Sequence, residues 1–97
     1  MQVKWLRGAL LNLEQEAAWI AQDDPRAAAA LVTEADAATR LLAQHTDMGR
    51  PGRVPGTREL VLPRFSYIIP YLVKAQRVEI LRVFHTARKW PPGFGVE

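Results

Sequence analysis

Apolar residues in the first half of the chain recur at the spacing of amphipathic helices. One stripe comprises Leu6, Leu10, Leu13, Ala17 and Ile20. A second stripe, rich in alanine, comprises Ala27, Leu31, Ala35, Ala38 and Leu42. Spacings of three or four residues place each set on one face of a helix. The pattern predicts two amphipathic helices, preceded at residues 2–5 by a short segment that favours a strand.

Asp24 and Pro25 mark the boundary between the two predicted helices. An aspartate at the N-cap accepts hydrogen bonds from free backbone N–H groups, and proline fits the first helical position. Alanine has the highest helix propensity, so the alanine-rich stripe suits the second helix. We therefore predict a helical hairpin over about residues 6–45.

The second half of the chain changes to the alternation of apolar and polar residues that is typical of strands. Three such runs lie at residues 57–62, 65–73 and 78–85, after a loop rich in proline and glycine at residues 50–56. The short links between the runs predict an antiparallel meander. Pro70 cannot donate to a strand ladder, so we expect it at an edge, at a bulge or at a position that faces no partner.

Together these elements predict a single α+β domain over residues 1–97. A short N-terminal strand and an α-helical hairpin pack on a small, mainly antiparallel sheet of three or four strands at about residues 57–85. Residues 86–97 form a tail. A chain of 97 residues has the length of one domain with one core.

Composition excludes several classes of protein and site. The hydrophobic fraction of 48% excludes a disordered chain, and the lack of cysteine excludes disulfides and thiolate metal sites. No apolar run approaches the roughly 18 residues of a membrane span, and the N-terminus shows no signal-peptide pattern. We expect a cytoplasmic protein without membrane association, and the sequence indicates neither a metal site nor a cofactor.

Charge is divided unevenly between the two halves of the chain. Residues 1–48 carry four basic and seven acidic side chains, a net charge of −3. Residues 49–97 carry nine basic and three acidic side chains, a net charge of +6. Such polarity steers acidic partners towards the basic side of a domain. The alternative is that these charges serve only solubility.

The last predicted strand ends in a polar cluster that includes His85, Arg88 and Trp90. His85 shares strand parity with Leu81 and Val83. It is therefore either a half-buried residue at the edge of the core or an acid/base and hydrogen-bonding group. Arg88 could pair with an acidic group of the same chain or bind the carboxylate or phosphate of a partner.

A series of short motifs runs along the chain. They are Ala21-Gln22-Asp23-Asp24-Pro25, Gly49-Arg50-Pro51-Gly52, Gly56-Thr57-Arg58-Glu59-Leu60, Tyr67-Ile68-Ile69 with Tyr71, and Ile80-Leu81-Arg82-Val83 followed by His85, Arg88 and Trp90-Pro91. In this order they resemble the RelE/ParE superfamily of type II toxin–antitoxin toxins, and within it the ParE side, often called plasmid stabilisation proteins. The resemblance implies a strand–helix–helix–meander fold. It also implies a growth-inhibiting toxin held inactive by a cognate antitoxin with a ribbon–helix–helix DNA-binding domain.

The resemblance leaves the target of the toxin open. RelE-type toxins are ribosome-dependent mRNA endoribonucleases, whereas ParE-type toxins inhibit DNA gyrase without known catalytic residues. In this chain Ile68 follows Tyr67 where RelE-type enzymes carry an arginine, and the apolar residues 60–62 stand where those enzymes place lysines. RNA cleavage is hard to support without a general base beside clustered positive groups. We therefore expect a ParE-like inhibitor of DNA gyrase rather than an enzyme, in a hetero-oligomer with its antitoxin.

Two alternatives remain. If the chain is a ribonuclease that acts on ribosome-bound mRNA, His85 is the candidate acid/base, and Arg64, Arg82 and Arg88 are the candidate phosphate-binding residues. The other alternative is a non-toxic relic that only binds the antitoxin. The predicted partner-binding residues are Arg58, Arg82, His85, Arg88 and Trp90. An acidic and apolar antitoxin segment should lie against the helical hairpin and one sheet face that includes Arg58 or Arg82.

Overall fold

A computed structural model describes residues 1–87 of the chain. Its elements are β1 (Gln2–Trp5), α1 (Arg7–Ala21), α2 (Pro25–Arg40), a 3-10 helix (Leu41–Ala43), β2 (Arg50–Pro51), β3 (Arg58–Leu62), β4 (Tyr67–Val73), β5 (Arg77–Ile80) and β6 (Phe84–His85). Two helices pack on one mainly antiparallel sheet, which confirms the predicted α+β class. Two of the predicted site residues, Arg88 and Trp90, lie outside the described residues.

The helical hairpin closely follows the predicted positions. Asp24 caps α2, because its Oδ1 accepts the N–H of Ala27 at 3.1 Å, and Pro25 is the first residue of the helix. The stripe of α1 differs from the prediction: Ala9 is fully buried, whereas Leu10 is 47% exposed. The small Ala9 side chain faces the core, so α1 lies close to the sheet and Leu10 remains on the surface.

The sheet has the strand order β1–β5–β4–β3–β2, and β6 pairs with β4 next to β5. Strand β1 runs parallel to β5, and the other pairs are antiparallel. Within residues 1–87 the sheet contains six strands, because β1 joins one edge and the two-residue strands β2 and β6 extend the predicted meander. The N-terminal strand β1 is consequently an edge strand of the described sheet.

Pro70 lies inside β4 and explains a break in the neighbouring strand. It is buried opposite Glu59 of β3, and its carbonyl accepts the N–H of Leu81 at 2.9 Å. In an antiparallel strand the N–H and C=O of one residue point to the same neighbour. The missing N–H of Pro70 therefore faces residues 81–83, between β5 and β6. The predicted strand at residues 78–85 is split there into β5 and β6.

The core lies between the helices and one face of the sheet. Two β4 tyrosines, Tyr67 and Tyr71, face the helices and are almost fully buried. The Tyr67 hydroxyl donates to Oε1 of Glu16 at 2.6 Å, which fastens α1 to the centre of the sheet. In the part of the chain that the structure describes, no helix is long and apolar enough to span a membrane.

Candidate partner-binding surfaces

Arg58 holds the segment that links the helical hairpin to the basic loop. Its Nη1 donates to the carbonyl oxygen of Gly49 at 2.7 Å and is 3.4 Å from that of Asp47. Tyr71, the neighbour of Arg58 across the β3–β4 pair, accepts the N–H of Gly49 and donates to the carbonyl of Thr46, both at 2.8 Å. The predicted contact residue Arg58 is thus fixed by backbone carbonyls.

Glu59 gathers two further arginines of the basic loop. Its side chain is only 4% exposed, and its Oε1 accepts from Nη2 of Arg50 at 3.2 Å. The other oxygen accepts the backbone N–H of Arg53 at 3.0 Å and lies 3.4 Å from Nε of Arg53. One carboxylate thus orients two arginines whose side chains are 54% and 36% exposed. The loop keeps an excess of positive charge at this end of the sheet.

Arg82 lies between β5 and β6, and its side chain packs against the first turn of α1. Its Nη1 donates to the carbonyl of Leu81 at 2.8 Å, and its guanidinium covers Gly8 so closely that a side chain at that position would collide with it. Among residues 1–87, no carboxylate pairs with Arg82. Arg82 is therefore a half-buried residue whose charge has no carboxylate partner among residues 1–87.

His85 is a half-buried residue beside Tyr67. The two rings meet edge to face with 5.1 Å between their centroids. The Nδ1 of His85 accepts the backbone N–H of Ala87 at 3.1 Å, so in this arrangement any ring proton of a neutral His85 lies on Nε2. The half-buried position agrees with the interpretation of His85 as a residue at the edge of the core. Its role as an acid/base or hydrogen-bonding group stays a prediction.

Arg64 lies in the turn between β3 and β4 and is largely exposed. Its Nη1 is 2.9 Å from Oε2 of Glu34 on α2, and its guanidinium carbon is 5.4 Å from the centre of the Phe65 ring. The candidate phosphate-binding arginine is thus paired with an acidic residue of its own chain. Because that pair is exposed, it contributes little to stability.

The described candidate catalytic residues, His85, Arg64 and Arg82, each have contacts within the chain. His85 lies opposite Tyr67, and the predicted contact residue Arg58 lies opposite Tyr71, about 13 Å further along the strand. Arg64 bonds to Glu34, and Arg82 covers the first turn of α1. Among residues 1–87, no group of three His, Asp or Glu side chains could hold a metal ion.

The hydrophobic pattern of the sequence does not indicate the apolar groove that lies between the two helices. The groove has a volume of about 420 Å³ and is lined by Trp5, Leu10, Leu13, Val32, Thr33 and Asp36. Leu10 and Val32 are 47% and 41% exposed. A periodic apolar stripe predicts burial in the core, but it cannot distinguish burial within the chain from burial against a partner. Leu10, a member of the predicted stripe of α1, is exposed and lines this groove.

Comparison with known proteins identifies relatives over nearly the whole chain. The family described as "ParE toxin of type II toxin-antitoxin system, parDE" matches residues 3–90. A protein of Sinorhizobium fredii (strain NBRC 101917 / NGR234) named "Putative toxin Y4kP" is 44% identical over 90 residues, which are 93% of each chain. A solved structure described as "Chromosomal ParDE TA system from P. aeruginosa" has a TM-score of 0.81 and 31% identity. The match covers 88% of this chain and 95% of the chain in that structure.

Proposed function

Because this chain belongs to the ParE toxin family of type II toxin–antitoxin systems, we propose that it inhibits DNA gyrase by direct contact. We further propose that a cognate antitoxin neutralises it in a hetero-oligomer. The antitoxin carries a ribbon–helix–helix DNA-binding domain and an acidic and apolar segment that binds the toxin. The basic second half of the chain favours an acidic partner of this kind.

The observation that supports contact inhibition is that several basic side chains are engaged in hydrogen bonds and ion pairs within the chain itself. Arg58 donates to backbone carbonyls, Arg64 pairs with Glu34, and Nδ1 of His85 accepts a backbone N–H. RNA cleavage requires a general base next to groups that stabilise the charge on the phosphate. Among residues 1–87 these three side chains already have partners within the chain, whereas a binding surface needs only charged groups and exposed apolar area.

A supercoiling assay with purified gyrase tests the proposed target. We expect supercoiling to fall as toxin is added and to recover when the toxin is first mixed with its antitoxin. Full supercoiling at an excess of folded toxin would contradict gyrase inhibition. Primer extension on mRNA from an in vitro translation reaction provides the second readout. Message cut at the ribosomal A site, with gyrase unaffected, would favour the ribonuclease alternative.

The groove between α1 and α2 is the proposed site for an apolar part of the antitoxin segment. Leu10 of α1 and Val32 of α2 expose apolar surface on both sides of the groove, and Trp5 also lines it. Burial of such side chains contributes about 1.5–3 kcal/mol each when it is complete. An amphipathic helix placed in an apolar groove is a common mode of peptide recognition.

Leu10→Asp tests this placement, and Leu11→Asp is its matched control. Both leucines lie on α1 and are exposed to a similar extent, 47% and 45%, but only Leu10 lines the groove. We expect Leu10→Asp to weaken antitoxin binding by roughly tenfold or more, and Leu11→Asp to leave it nearly unchanged. Equal affinities for the two variants, measured by calorimetry, would move the antitoxin away from this groove.

A further inference from the structure

Among residues 1–87, strand β1 leaves one edge of the sheet open. Within that range it pairs with β5 alone, and the N–H of Leu6 donates to the carbonyl of Ile80 at 3.0 Å. The hydrogen-bonding groups of successive residues in a strand point alternately to its two sides. Those of Lys4 and Leu6 therefore face β5, and the N–H and C=O groups of Val3 and Trp5 face outwards. Unpaired groups of this kind are a template for another strand.

A second groove runs along this edge on the helix side of the sheet. It has a volume of about 330 Å³ and is lined by Val3, Trp5, Asp36, Thr39, Arg40 and Ala43. It shares Trp5 and Asp36 with the groove between the helices, so the two grooves are adjacent. The residues that offer backbone hydrogen bonds at the edge thus also place their side chains in a groove.

Charge near the edge favours an acidic segment. Lys4 is exposed and points to the sheet face opposite the groove, and Arg7 follows immediately after the strand. Neither residue has a carboxylate partner within residues 1–87. Arg40, on the groove side, is compensated by Asp36 at 2.9 Å. The uncompensated charge therefore lies on the face that carries Lys4.

A second copy of this chain does not fit the edge. Two β1 strands that pair antiparallel through all their outward groups must place Val3 opposite Trp5 of the second copy. This register puts Lys4 directly opposite Lys4 of the second copy. Like charges in this position destabilise a strand pair. The edge is therefore suited to a different chain.

We propose that β1 accepts an extended, acidic and apolar segment of a partner protein as an additional strand of the sheet. Side chains alternate between the two faces of a strand. Residues opposite Val3 and Trp5 are apolar and enter the groove, whereas those opposite Lys4 carry the carboxylates. This inference rests on the proposed function only for the identity of the protein that supplies the segment, the antitoxin.

Amide hydrogen exchange measured by NMR tests the added strand directly. The probe is a short synthetic peptide that alternates Glu and Val, and the control peptide alternates Lys and Val. We expect the amides of Val3 and Trp5 to exchange quickly in the free chain and about tenfold more slowly with the Glu peptide. The amides of Lys4 and Leu6 are internal controls, because β5 already protects them.

Unchanged exchange at Val3 and Trp5 in the presence of roughly millimolar Glu peptide would overturn the proposal. A dissociation constant of about 1 mM is the weakest affinity that we expect for an added strand. If the Lys peptide slowed the exchange of these two amides equally, the proposal that the partner segment is acidic would be overturned. Neither result would affect gyrase inhibition or antitoxin binding along the groove between the helices, which are measured separately.

A pair of variants at one position supplies a second test. Val3→Pro removes an outward N–H, and proline is tolerated where its nitrogen faces away from the ladder. Val3→Ala shortens the side chain but keeps the N–H. We expect Val3→Pro to bind the Glu peptide about fivefold more weakly than Val3→Ala. Equal binding by the two folded variants would contradict strand addition.

Discussion

The Tyr71 hydroxyl fixes the connection between the helical hairpin and the basic loop, and Tyr71→Phe tests its contribution. The hydroxyl accepts the N–H of Gly49 and donates to the carbonyl of Thr46, both at 2.8 Å. Tyr71 and Gly49 are both buried, so water does not replace the lost partner easily. The substitution keeps the ring in the core and removes both hydrogen bonds.

The expected loss of stability follows from these two bonds. A buried N–H without an acceptor costs about 1–3 kcal/mol, and this applies to Gly49. The lost bond to the half-exposed Thr46 adds about 0.5–1 kcal/mol. The two contributions together span about 1.5–4 kcal/mol, and we expect the free energy of unfolding to fall by the middle of that range, about 2–3 kcal/mol. For a domain of this size, the melting temperature should then fall by roughly 10–20 °C.

Urea unfolding followed by circular dichroism measures this change. With a slope of roughly 1–3 kcal/mol per molar urea, the midpoint should move by about 1 M or more. An unchanged slope would indicate that the native and unfolded states keep their compactness. A loss below about 0.5 kcal/mol would refute the assignment of Tyr71 as the anchor of this segment, because that is less than one ordinary hydrogen bond.

The pH dependence of stability gives an independent check on Tyr71. Burial raises the pKa of its hydroxyl above the ordinary value of 10.0, and the Gly49 N–H and the Arg58 guanidinium offset this only in part. The native state therefore holds the phenolic proton more tightly than the unfolded state. The resulting stabilisation is complete below pH 10.0 and is lost as the pH rises through the raised pKa. Parallel profiles for the native chain and Tyr71→Phe above that pH would contradict this.

Three further substitutions test other parts of the fold, each by urea unfolding. Gly49→Ala should cost about 1–3 kcal/mol, because its Cβ would lie 2.6 Å from the Tyr71 hydroxyl; a neutral effect would mean that the tyrosine moves freely. Asp24→Ala should cost about 1 kcal/mol through loss of the α2 cap, and an unchanged urea midpoint would show that this cap does not stabilise the fold. Arg64→Ala should cost less than about 1 kcal/mol, since its pair with Glu34 is exposed; a larger loss would point to a structural role.

The helical hairpin was predictable because its signals are local. Asp24 and Pro25 act within one turn of α2, and the alanine-rich stripe requires only the period of the helix. The exposure of Leu10 was not predictable in the same way. It depends on which residue of α1 faces the sheet, and the small Ala9 occupies that position.

The break between β5 and β6 shows where the sequence pattern loses its information. The alternation at residues 78–85 is that of one strand. The residue that interrupts it is Pro70, which belongs to the neighbouring strand and lacks the N–H that would continue the ladder. Register across strands is set by tertiary structure, so the consequence of Pro70 for another strand could not be derived from that strand's own residues.

The basic character of the second half was correctly read from the sequence, but the use of each arginine was not. Arg50 and Arg53 share the carboxylate of Glu59, which offsets part of their charge. Arg58 and Arg82 instead donate to backbone carbonyls, which fix a guanidinium without cancelling its charge. A guanidinium that is already held by hydrogen bonds needs little further ordering when it binds a carboxylate, so less side-chain conformational entropy is lost on binding. These two arginines therefore remain the predicted anchors for an acidic partner, with geometry set in advance by the fold.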